Sequence, residues 1–151
     1  MTPDAPVRHA RTKDGAAIRQ LQSLLSEPSP ALLSTAIAEL SVGSPIRTST
    51  LLVSPDSDDR PVGYLLAVGD EPIHIAELAV TPDHRREGRA TALLRDVCDG
   101  TSHAVTVHVA ATNDPARSLY RRAGFVETGR SSKLFEDSEG ITLRYTPSSS
   151  P

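Results

Sequence analysis

The apolar positions change period several times along the chain, and each change predicts an element. Ala17, Leu21, Leu24 and Leu25 recur at helical spacing behind Thr12 or Asp14, either of which can cap, and Pro28 ends that helix. Ser29 followed by Pro30 reads as a fresh N-cap with proline at the first helical position. The second helix carries Leu33, Ile37 and Leu40 on one face and ends near Gly43. Strands follow at Thr48–Val53, Val62–Val68 and Ile73–Val80, separated by polar turns at Ser54–Pro61 and Gly69–Pro72, the first two strands forming a hairpin. A third helix over Gly88–Asp99 lines up Ala90, Leu93, Leu94, Val97 and Cys98. His103–Ala110 alternates strictly, with Val105, Val107 and Val109 on one face and Thr106, His108 and Ala110 on the other. Asp114-Pro115 starts a short helix through Arg122 that Gly124 terminates. Phe125–Phe135 and Ile141–Tyr145 read as strands joined across Glu136–Gly140. With a short strand at Val7–Ala10, the order is βααβββαβαββ. That is an α/β chain, layered in the α+β manner, with a mixed sheet of about six to seven strands and four helices.

The chain has 151 residues, enough for one domain and a core that needs no metal or bridge. We expect that domain over residues 7–146, with polar, proline-rich ends at 1–6 and 147–151 that fray. Hydrophobic residues make up 38% and charged residues 23%, a globular balance. With no Trp, 3 Tyr and 2 Phe, the core must be aliphatic. A net charge of −3 argues against a nucleic-acid partner held by bulk electrostatics. The longest apolar stretch, Val62–Gly69, falls far short of the ~20 residues of a membrane span, and the start of the chain has no apolar targeting core. The single cysteine, Cys98, excludes an internal disulfide and sits on an apolar helix stripe, and no Cys/His spacing fits zinc. The expectation is a cytoplasmic protein without metal, nucleic-acid or membrane partners.

Glu77 to Thr91 is the most informative segment. A strand runs into a turn holding Arg85, Arg86, Glu87, Gly88 and Arg89, and a helix begins at once. The free N–H groups and dipole of a helix start favour an anion such as a diphosphate. Gly88 removes the Cβ that would block its approach, and the arginines add charge and paired donors. A solvated turn capping an amphipathic helix is the plain alternative. A second signal follows: His108-Val-Ala-Ala-Thr-Asn113 leads into Pro115-Ala-Arg-Ser-Leu-Tyr120-Arg-Arg-Ala-Gly124-Phe125.

With these two motifs in register, the chain resembles the GNAT superfamily of N-acetyltransferases, most strongly over Glu77–Gly129. The resemblance implies acetyl-CoA as co-substrate and an amine acceptor, either a small molecule or a protein N-terminus or lysine. It implies cofactor contacts from Leu78, Ala79 and Val80 through their backbone, from the turn Arg85, Arg86, Glu87, Gly88, Arg89, Ala90 and Thr91, and from Asn113, Ala116 and Tyr120. The family's last phosphate-loop glycine is Ala90 here, and Glu87 must point outward or weaken binding. Tyr120 would protonate the departing thiolate, a role its ordinary pKa near 10 suits, against packing on Phe125 as its bland role. His108 stands where related alanine acetyltransferases carry a Glu base, and Glu77 is the one carboxylate of its strand; either could take the acceptor's proton. His74 falls at the catalytic Glu of histone-type members. Its odd separation from Glu77 places the two on opposite faces of a regular strand, so at most one would share the surroundings of His108. The acceptor would enter between the first two helices and the C-terminal hairpin, whose exposed edge could support a homodimer. A non-catalytic acyl-CoA sensor of the same fold is the alternative function.

Overall fold

The computed structural model describes residues 5–42, 48–132 and 139–147. Seven strands form one sheet: β1 (Arg8–His9), β2 (Ser49–Pro55), β3 (Pro61–Val68), β4 (Ile73–Val80), β5 (Val105–Ala110), β6 (Val126–Ser131) and β7 (Gly140–Tyr145), in the order β1-β2-β3-β4-β5-β7-β6. All neighbours are antiparallel except β4 and β5. Four helices flank it: α1 (Gly15–Gln22), α2 (Pro30–Val42), α3 (Arg89–Asp99) and α4 (Asp114–Arg122). The predicted element order is the observed one. The ends of the second helix near Gly43, of the strand at Phe135 and of the chain, and most of the turn Glu136–Gly140, lie outside the described residues.

Alternation along the strands divides the core into two layers. On one face, Leu52, Leu65, Ile75, Val105, Val107, Val109 and Ile141 pack under Leu93, Leu94 and Val97 of α3 and Tyr120 of α4. On the other, Leu51, Val53, Tyr64, Leu66 and Ala79 meet Ile18 and Leu21 of α1 and Leu33 and Ala36 of α2. The stripe expected for the first helix needs correction. That helix stops at Gln22, so Leu24 lies beyond it and is 44% exposed, while Ile18 is the residue wholly buried. A turn of 3-10 helix at Thr12–Asp14 leads into α1, and Asp14, buried, receives both Arg8 and the Arg11 N–H. Cys98 is core, as its place on the stripe implies, and burial pushes its thiol up to about 11.

Two irregularities of β4 set the site. Leu66 pairs with Glu77 but Ala67 pairs with Ile75, so Ala76 is an extra residue, a β-bulge. The bulge resets the alternation: Ile75 and Leu78 pack on the α3/α4 layer, Ala76 and Ala79 on the α1/α2 layer. The expectation that His74 and Glu77 face opposite ways is therefore overturned. An odd separation across one extra residue leaves both on the α1/α2 face. The second irregularity is the parallel pairing with β5, which lasts only from Ile73–Ile75 against Val105–Val107. Beyond it, β4 continues to Val80 and β5 to Ala110, and a gap opens between them.

Candidate active site

Thr81 donates its N–H to Val62 across from β4. Antiparallel alternation then turns the peptide groups of Leu78 and Val80 away from β3 and into the gap, while those of Ala79 face β3. Arg85 Nε donates to the Val80 carbonyl at 3.1 Å, drawing the following turn against the strand end. That turn contains two residues in the left-handed region, Arg86 at φ 64° and Gly88 at φ 76°. Holding Arg86 there costs about 1–3 kcal/mol.

Gly88 is the N-cap of α3, and a Cβ built on it would meet nothing within 4 Å. Its side is open for a ligand rather than filled by protein. The N–H groups of Arg89, Ala90 and Thr91 belong to the first turn of α3, which has no intrahelical acceptor to offer them. They border a cavity of about 400 Å³ lined by Val80, His84, Arg85, Arg86, Gly88, Arg89, Ala90, Thr91, Leu119 and Arg122. Helix amides, an open glycine and several guanidinium groups suit a diphosphate. Glu87 does not oppose it. Its carboxylate accepts from Arg89 Nε at 2.9 Å and meets His84 Nδ1 at 3.1 Å; these contacts hold it below the usual carboxylate range, and it is not part of the lining. Arg89 also reaches Ser54 Oγ and the Pro55 carbonyl, both at 2.9 Å, so its guanidinium ties the turn to β2.

On the opposite side of the gap, Asn113 is the N-cap of α4: its side-chain oxygen accepts from the Ala116 N–H at 3.2 Å. Tyr120 is buried in the α3/α4 layer, edge-on to Phe125 at 5.2 Å between ring centres. Burial, with a smaller contribution from Cys98, raises its phenol above the ordinary value, so it keeps its proton at neutral pH.

The α1/α2 face of the gap carries the remaining candidates. Glu77 is 3% exposed, and its carboxylate is saturated: Gln22 Nε2 donates to both oxygens at 3.0 Å, the Tyr64 hydroxyl to Oε1 at 2.9 Å and the Ser29 N–H to Oε2 at 2.6 Å. It thus fastens the end of α1 and the start of α2 to the sheet. His108, exposed, has Nδ1 3.0 Å from Thr142 Oγ1. His74, half-buried, has Nδ1 2.9 Å from Thr106 Oγ1, and the two imidazoles lie 4.7 Å apart between centres. His74, not Glu77, is thus the residue that touches His108. The strict alternation of β5 already put His108 on this face; the pairing of His74 with Thr106 that sets it beside His108, and the bulge that leaves Glu77 on the same face, leave no mark in the sequence. Among the described residues, no cluster of three or more His, Cys, Asp or Glu could hold a metal ion, and no helix is long and apolar enough to cross a membrane.

The family model described as Acetyltransferase (GNAT) domain matches residues 26–143. The chain is 32% identical over 81 residues to the peptidyl-lysine N-acetyltransferase YjaB of Salmonella typhimurium; the match covers 54% of this chain and 53% of that protein, so the chain spans about half the length of this curated relative. In overall fold it is similar to Arabidopsis thaliana NAA60 in complex with acetyl-CoA, with a TM-score of 0.76 and 18% identity over 93% of this chain and 97% of that one. It is also similar to the ribosomal-protein-S18-alanine N-acetyltransferase of Escherichia coli, with a TM-score of 0.77 and 16% identity over 97% and 96%. These identities speak to fold alone. The family model covers well over half of the sequence, the same stretch that carries the gap, the turn before α3 and the cap of α4, and the chain belongs to the GNAT acetyltransferase family.

Proposed function

We propose that the protein transfers an acetyl group from acetyl-CoA to a primary amine. The observation that carries this reading is the open, amide-rich turn Arg85–Thr91 at the end of the gap between β4 and β5. When bound, acetyl-CoA supplies the activated acetyl thioester. The N–H groups at the start of α3 and the side chains of Arg85 and Arg86 hold its diphosphate. Leu78 and Val80 present strand-like backbone partners to its amide-bearing arm, and Asn113 and Ala116 border that arm from α4. A backbone N–H of Leu78 or Val80 also polarises the carbonyl oxygen.

A lysine-like amine is mostly ammonium at neutral pH and must lose a proton before it can attack. His108, exposed on the gap-side face of β5, accepts it. Glu77 anchors the α1–α2 wall on which the acceptor lies, its oxygens being spent on Gln22, Tyr64 and Ser29. Tyr120 gives its proton to the departing thiolate. The curated relative makes a peptidyl lysine the first acceptor to try, followed by peptide N-termini and small polyamines.

Calorimetry with acetyl-CoA, followed by CoA-release kinetics against those acceptors, tests the reading. Binding with acceptor-dependent release is the expected result. No binding by the folded chain would sink it, and binding with a flat response to every acceptor would make the protein an acyl-CoA sensor.

A further inference from the structure

We propose that His74 and His108 work as one two-imidazole base, in which His108 takes the proton leaving the acceptor amine and His74 is its positioning partner; this rests on the acetyltransferase reading above. The rings come from different strands, on either side of the point where β4 and β5 part, and lie 4.7 Å apart with a 51° tilt. Each is pinned through Nδ1 by a threonine of the strand beyond it, His74 by Thr106 of β5 and His108 by Thr142 of β7. A threonine, an imidazole, an imidazole and a threonine thus fix one another on a single sheet face.

The burial of His74 and the neighbouring His108 hold its imidazole below the ordinary value. This favours the neutral form of His74, the form that does not repel a proton arriving on its neighbour. The other charged groups on this face leave that arrangement intact. From β4, Glu77 is saturated by four hydrogen bonds from three donors. From β7, Arg144 stands beside Thr142 and is exposed. From α1, Arg19 reaches Ser34, and from α2, Glu39 is held by Thr48 and Ser49.

With Nδ1–H donated to Thr142, His108 Nε2 carries the lone pair. An N–H bond of the ammonium breaks, its electron pair stays on nitrogen for the attack, and the proton bonds to Nε2. The positive charge then rests on His108, which returns the proton to water.

The test joins ring titration to kinetics. In nitrogen-labelled protein, His108→Gln moves the NMR titration midpoint of His74 upward, towards the ordinary imidazole value; an unmoved midpoint means the rings do not interact and overturns the pair. His108→Gln lowers kcat/KM for the amine by about 10²-fold or more. His74→Gln lowers kcat with KM for acetyl-CoA unchanged, and the double variant is no slower than His108→Gln alone, because the two act as a unit. Losses that multiply, or an unchanged kcat in His74→Gln, overturn the proposal. Calorimetric affinity for acetyl-CoA, retained in all three variants, shows the fold and cofactor site intact. Failure of the unsubstituted chain to bind acetyl-CoA would instead bring down the acetyltransferase reading, and the pair's role with it.

Discussion

Single side chains in this molecule divide into those that fix geometry and those free to react. In the proposed reaction Tyr120 is the proton donor, and Tyr120→Phe should then lower kcat by about 10²–10⁴-fold while the calorimetric affinity for acetyl-CoA holds, since only the hydroxyl is lost. Glu77 belongs to the first group. Glu77→Gln would turn an amide NH2 towards donors that now find carboxylate oxygens, and should destabilise the fold by about 1–3 kcal/mol in urea unfolding. Asp14 adds a pH dependence. Burial pushes its carboxyl up, but the hydrogen bonds from Arg8 and the Arg11 N–H outweigh that and hold it below the usual range. A lowered folded pKa gives stability that is present above the ordinary carboxylate value, near 3.8, and lost as pH falls through the folded one. The melting temperature of Asp14→Asn should therefore fall clearly below that of the unsubstituted protein at pH 7, and the difference should close on acidification below pH ~3.8.

Whole elements were legible wherever proline and glycine punctuate the chain. β4 spans Ile73–Val80 and α4 Asp114–Arg122, as read from Pro72, Pro82, Pro115 and Gly124. The first helix is shorter than its apolar spacing implies, because Leu24 and Leu25 continue that spacing past the residue where the backbone stops being helical. Two features of the site had no local signature. The bulge at Ala76 is invisible because alanine suits either face, and the partners of Glu77 lie 13 to 55 residues away. The turn before α3 was legible in composition, but not in its division of labour. Three charged side chains, Arg85, Glu87 and Arg89, bond to the protein itself, and Gly88 leaves the space. Gly88→Ala tests that last point: a Cβ there meets no atom, so the cost is the left-handed backbone, about 1–2 kcal/mol, together with weaker calorimetric binding of acetyl-CoA.

For the molecule as a whole, ligand and stability are linked. At a hundredfold excess over its Kd, acetyl-CoA should add about 2.7 kcal/mol to unfolding, which for a chain of this size raises Tm by about 5–10 °C in a calorimetric scan. The brevity of the β4–β5 pairing says where that gain resides. Three residue pairs are all the ladder that connects the antiparallel group β1–β4 with the group β5, β7 and β6. Acetyl-CoA seated along the gap, as proposed, would touch both halves and work as a splint across a short weld. Amide exchange with deuterated water should then slow most at Ile73–Ile75 and Val105–Val107 when acetyl-CoA is added, more than in the long hairpin β2–β3, because the substrate itself completes the joint on which the two halves of the sheet depend.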